Sequence, residues 1–202
     1  MKWIAPTLAY LAVGLGIFQF HSAWGTLVGF HVAIILSLLV ARPIIPISIL
    51  LKNTKIKWIV LNVLLCGSSG IALYFLWGQF RFAGDLPAQV ESLGLTSSSS
   101  WIPFIAYFAL VNPFVEEYFW RGYLGSDTKK LHVSDFMYSG FHALIMIGRV
   151  REDAILFGLS MLVLAGWFWR QVAREDHGLL APVLGHMAAD FTILMTVYNM
   201  TG

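Results

Sequence analysis

Charged side chains are scarce in this chain: only 12% of its 202 residues are Asp, Glu, Lys or Arg, while 58% are hydrophobic. A soluble globular domain carries roughly 25% charged and about 45–50% apolar residues. A water-soluble fold is therefore excluded, and a polytopic membrane protein is expected. Cysteine is nearly missing too. The single Cys66 rules out an internal disulfide and a multi-cysteine metal site, and its apolar surroundings make it a packing residue. No basic excess is present, because a net charge of +2 is too small to argue for nucleic acid. The apolar runs lack the alternation of strands, and no internal repeat is evident. No clean small-residue cleavage site follows the apolar start, so the opening segment reads as a retained first helix rather than a removed signal.

What is there is a series of long apolar runs. A helical span needs about 20 such residues, and seven segments qualify, at about 3–20, 25–41, 58–78, 101–123, 131–148, 154–170 and 178–199. Helices satisfy their own backbone polar groups inside a bilayer. The expected fold is thus all-α: one domain over residues 1–202, a transmembrane bundle of about seven helices, with its motif-bearing core over about 101–200. Residues 42–57 carry Pro43, Pro46 and the apolar run Ile47–Leu51, which predicts a short interfacial helix near 44–51. Residues 79–100 form the longest external connection, ending in Ser97–Ser100 as linker and helix cap. Lys/Arg bias sets orientation. With a cytoplasmic N-terminus, nine basic residues (Lys2, Arg42, Lys52, Lys55, Lys57, Lys129, Lys130, Arg170 and Arg174) face the cytoplasm, against three (Arg81, Arg149 and Arg151) outside. A multi-pass protein of the cell membrane follows.

Against this background six ionisable residues stand inside predicted spans: Glu116, Glu117, Arg121, His142, His186 and Asp190. A charge at the bilayer centre costs about 2.5–3.5 kcal/mol even on the lenient insertion scale, so each is a functional-site candidate. Their depths agree. At 1.5 Å per residue, Glu116, His186 and His142 lie roughly 10, 12 and 16 Å from the same surface. Glu117 and Arg121 are i,i+4 and share a face, as do His186 and Asp190, and Tyr138 and His142. Glu116 is rotated about 100° from Glu117, toward a different neighbour. Pro113 frees the Ala109 carbonyl from its helical bond, and a kink there would admit water. A glutamate beside a histidine can activate water for peptide hydrolysis, and a second histidine can donate to the oxyanion.

Glu116-Glu117-x-x-x-Arg121, Tyr138-x-x-x-His142 and His186-x-x-x-Asp190 resemble, in this order and over about residues 112–192, the CAAX-processing and bacteriocin-processing (CPBP, or Abi) family of glutamate-type intramembrane proteases. The resemblance implies that Glu116 and His142 activate the attacking water, that His186 and residue 190 form the oxyanion hole, and that Glu117 and Arg121 support the site. No cofactor is implied. The substrate would be a membrane-associated protein or peptide: a prenylated CAAX terminus, a leader peptide or a C-terminal sorting signal. Two positions depart from the usual pattern. Tyr138 replaces phenylalanine, and Asp190 stands where many members have asparagine. An ionised aspartate cannot donate to an oxyanion, so Asp190 must be protonated, orient His186 or bind something cationic.

Other readings remain open at this point. Glu116, His142, His186 and Asp190 are credible ligands for a divalent metal such as zinc, although no His-Glu-x-x-His helix is present. Gly67-Ser-Ser69-Gly70 mimics a serine-protease nucleophile site but suits a packing notch between helices. A non-catalytic protein, acting in bacteriocin immunity or proton-coupled transport, would also use buried acids. Taken singly, a Glu–Arg pair or a lone histidine is structural in most helices.

Overall fold

The computed structural model describes residues 3–201, which contain no strand. Its helices are α1 (Ala5–Gly14, prolonged by a π-helical turn Leu15–Gln19), α2 (Ala23–Ala41), α3 (Ile56–Gly67), α4 (Ser69–Phe80), α5 (Leu86–Ser92), α6 (Ser98–Leu110), α7 (Asn112–Glu117, prolonged by a π-helical turn Tyr118–Tyr123), α8 (Val133–Gly140), α9 (His142–Met146), α10 (Glu152–Asp176) and α11 (Leu180–Thr201). Five stretches are long and apolar enough to cross a bilayer: α2, α3–α4, α6 through the turn after α7, α10 and α11. Ala5–Gln19 is apolar but shorter. Burial is inverted relative to a water-soluble protein. Leu39, Val40, Leu64, Phe75 and Leu156 face outward, while Glu116, Glu117, Arg121, Asp135, Arg170 and His186 are buried. This is a multi-pass membrane protein, and the bundle of about seven helical segments stands.

Two expectations change. Residues 131–148 do not form one continuous span: α8 has eight residues and α9 five, with Phe141 between them. The apolar count concealed how polar the inner face is, since Ser134, Asp135 and Ser139 are all buried. Ser139 donates to the Leu159 carbonyl and Asp135 pairs with Arg170, both on α10, while Ser134 partners His132 just before α8, so the segment folds against protein instead of running straight through lipid. Arg170, expected in a cytoplasmic connection, lies within α10 and is buried. Its Nε donates to Asp135 Oδ1 at 2.9 Å and its Nη2 to Oδ2 at 2.7 Å, and the remaining N–H groups reach the carbonyls of Ser126, Thr128 and Lys130. The loop before α8 is therefore clamped by one guanidinium. Lys2 lies outside the described residues.

α11 is the central helix, packing on α3, α4, α6, α7 and α10. It approaches α4 through the small-residue stretch. A Cβ on Gly70 would lie 2.2 Å from the Thr192 carbonyl oxygen, and Gly70 N–H donates to Thr192 Oγ1 at 3.2 Å while Thr196 Oγ1 donates to the Gly70 carbonyl at 3.0 Å. That is a packing notch.

The predicted interfacial segment is a 3₁₀ helix at Ile47–Leu51 with no buried residue. It is stapled to the end of the bundle that holds the candidate site. Leu179 N–H donates to the Ile49 carbonyl at 2.9 Å, Tyr118 hydroxyl to the Ile45 carbonyl at 2.6 Å, and buried Asp176 accepts from Asn53 Nδ2 and from the amide and hydroxyl of Thr54. At the other end, Ser100 Oγ accepts from the Ser97 amide at 3.1 Å and caps α6 as expected.

Candidate active site

The site begins with a break in a helix. Val111 interrupts the ladder between α6 and α7, and Pro113 occupies the first turn of α7, where its missing N–H costs nothing. Five residues later the chain widens into the π-helical turn, closed by Leu124 N–H on the Phe119 carbonyl at 2.9 Å. Such turns are rare and are frequently found at functional sites. Glu116 and Glu117 sit between these two irregularities. Their side chains are buried, at 2% and 0% exposure, so every partner must come from the protein.

The two glutamates have separate partners. Glu117 Oε1 lies 3.1 Å from Arg121 Nη1 and 2.9 Å from His186 Nδ1, which joins α7 and its turn to α11. The Arg121 guanidinium is held between rings, 4.1 Å from the centre of Tyr138 and 4.9 Å from that of Trp169. Trp169 in turn stacks on His186, with centroids 4.6 Å apart at 24°. Glu116 accepts from Asn112 Nδ2 at 2.9 Å on Oε1 and from Trp120 Nε1 at 3.1 Å on Oε2. Asp190 closes the cluster: Oδ1 lies 3.5 Å from His186 Nε2, and Oδ2 accepts from Asn112 Nδ2 at 3.4 Å.

His142 begins α9. Its Nδ1 lies 3.1 Å from the Tyr138 carbonyl, which can only accept, so the proton sits on Nδ1 and the Nε2 lone pair is left for another partner. Tyr138 stands between the histidines, its ring 5.3 Å from His142 and 6.1 Å from His186. All the residues singled out in the sequence therefore meet. Glu117, Arg121, His186 and Asp190 are in direct contact, and His142 is one ring away. Among the described residues, no hydrogen bond or ion pair joins Glu116 to His142.

With this geometry in view, comparison with family models matches residues 98–192 to "Type II CAAX prenyl endopeptidase Rce1-like". Over this segment the chain is similar to that family. The match takes in α6 to the middle of α11, hence every residue of the cluster just described. That similarity supports, in general terms, a CAAX-type intramembrane endopeptidase. Curated proteins and solved structures return no match.

Four side chains of this candidate site were not singled out in the sequence: Asn112, Trp120, Trp169 and His31. The first two flank Glu116 at i−4 and i+4, so the spacing rule that paired Glu117 with Arg121 would have found them. A search confined to ionisable residues passed over them. His31 is a histidine within an apolar span, which is itself a signal, yet its partner Asn112 lies 81 positions away and no local pattern reveals it. Among the described residues, no three His, Cys, Asp or Glu side chains form a group that could hold a metal ion. His186 turns both ring nitrogens toward carboxylates, and His142 uses one on a backbone carbonyl.

Proposed function

We propose that the protein is a glutamate-type intramembrane endopeptidase that cleaves membrane-associated peptides ending in a prenylated CAAX sequence. The observation that carries the reading is the buried carboxylate–imidazole cluster within the family-matched segment: Glu116 held on both oxygens, beside Glu117–His186 at 2.9 Å. A membrane protein pays heavily for buried acids unless they act or are paired. Glu116 has no cationic partner among the described residues, and that sets it apart from Glu117.

In this reading the attacking water lies between Glu116 and the Nε2 lone pair of His142. Glu116 takes its proton, the oxygen adds to the scissile carbonyl, and the C–N bond breaks as the leaving nitrogen takes that proton back. His186, held at Nδ1 by Glu117, turns its Nε2–H from the long 3.5 Å approach to Asp190 toward the oxyanion. Asp190 serves as an acceptor that orients His186 and Asn112, which removes the need for it to be a donor. Chemistry proceeds without a metal.

The test is incubation of the purified protein in lipid nanodiscs with a farnesylated peptide ending in Cys-aliphatic-aliphatic-X, the products being read by mass spectrometry. Release of the terminal tripeptide, unaffected by chelators and weak for the unprenylated peptide, is expected. Cleavage abolished by chelation and restored by zinc would replace the mechanism with a metal-dependent one, and no cleavage of any membrane peptide would favour a binding or immunity role.

A further inference from the structure

Glu116 is oriented from outside the family-matched segment. His31 lies on α2, buried at 4% exposure. Its Nε2 is 3.0 Å from Asn112 Oδ1 and its Nδ1 3.2 Å from the Tyr107 hydroxyl. Proton positions along this chain follow by elimination. The carboxylate oxygens of Glu116 and Asp190 accept, so Asn112 presents its NH₂ to them and turns Oδ1 toward His31. An amide oxygen also only accepts, so His31 carries its proton on Nε2. Nδ1 is then an acceptor, and the Tyr107 hydroxyl donates to it. Every link has one direction, and the chain ends on Glu116.

We infer that His31 and Asn112 are positioning residues for Glu116: the Tyr107–His31–Asn112 chain fixes which way the Glu116 carboxylate faces and ties it to Asp190. The inference deepens the proteolytic reading and rests on Glu116 being the base. A single carboxamide has two N–H groups, and here each has a carboxylate within reach, at 2.9 and 3.4 Å. If the amide were free to flip, its oxygen would oppose two carboxylates. The His31 N–H prevents this by occupying that oxygen. Asp190, placed where an amide would add a competing donor, supplies an acceptor instead. The acid-bearing faces of α7 and α11 are thus set by a residue on α2.

The experiment combines kinetics with infrared spectroscopy on the full-length protein in nanodiscs. The Glu116 band is identified as the carboxyl absorption lost in Glu116→Gln. His31→Phe keeps the ring and removes the donor. It is expected to shift that band and to lower kcat on the farnesylated peptide about tenfold, with KM within about twofold, the size of effect that follows from losing one buried hydrogen bond. His31→Gln, which restores an N–H donor, should recover much of both. A purely packing role for His31 would lower the melting temperature and leave band and kcat in place. That outcome overturns the inference, and so does an unshifted band in His31→Gln if His31→Phe fails to fold while Gln removes activity. A shifted band in a protein that cleaves no peptide upholds the chain of hydrogen bonds and rejects the proteolytic reading instead.

Discussion

At the residue scale, the site separates two adjacent acids by giving them opposite company. Glu117 meets a guanidinium and an imidazole, whereas Glu116 meets only neutral donors. Glu117 is the anchor, and in the proposed mechanism Glu116 is the side chain that reacts. Arg121 does more than neutralise its partner, because its planar group fills the gap between Tyr138 and Trp169. A lysine keeps the charge but loses the stacking. Arg121→Lys should therefore cost about 1–2 kcal/mol, the worth of a desolvated cation–π contact, read as a lowered melting temperature in detergent. Unchanged stability would show that charge alone is used. The sequence made the ionisable members visible because each violates the composition around it. It hid Asn112, Trp120 and Trp169, which are unremarkable in a membrane helix until a carboxylate is placed beside them. The expected Glu116–His142 pair is not in direct contact; His142 points Nδ1 back at the Tyr138 carbonyl on α8.

At the element scale, apolar length located the spans but not their interruptions. Pro113 was legible as a kink, since a missing N–H is a property of one residue. The π-helical turn at Tyr118–Tyr123 and the break at Phe141 were not, because both depend on what the segment packs against. Asp135 is the example: it reads as a charge in an apolar run, but in the fold it caps the His132 amide and pairs bidentately with Arg170 on α10, which fixes where α8 begins. The small-residue stretch at the start of α4 gives a direct test of packing against chemistry. Gly70→Val places methyl groups against the Thr192 backbone and should destabilise the protein by about 1–3 kcal/mol. Ser69→Ala next to it should leave both melting temperature and activity in place, and loss of activity there would revive a serine nucleophile.

At the scale of the whole molecule, the acids, the histidines and the 3₁₀ helix lie toward one end of the bundle, and the Ser97–Ser100 cap toward the other. We propose that the site end faces the cytoplasm. Lys129→Cys in a Cys66→Ser background should then react with a membrane-impermeant maleimide in inverted vesicles and stay protected in intact cells; the reverse pattern would invert the topology. The apolar outer surface and the buried acids follow from one composition, scarce charge concentrated where α7, α9 and α11 approach each other. Whether that concentration is catalytic is the central claim, and Glu116→Gln tests it most directly. The substitution keeps shape and removes the base. Cleavage of the farnesylated peptide should fall by about 10²–10⁴-fold, with circular dichroism and melting temperature as in the wild type. Wild-type turnover in a folded Glu116→Gln protein would contradict the account.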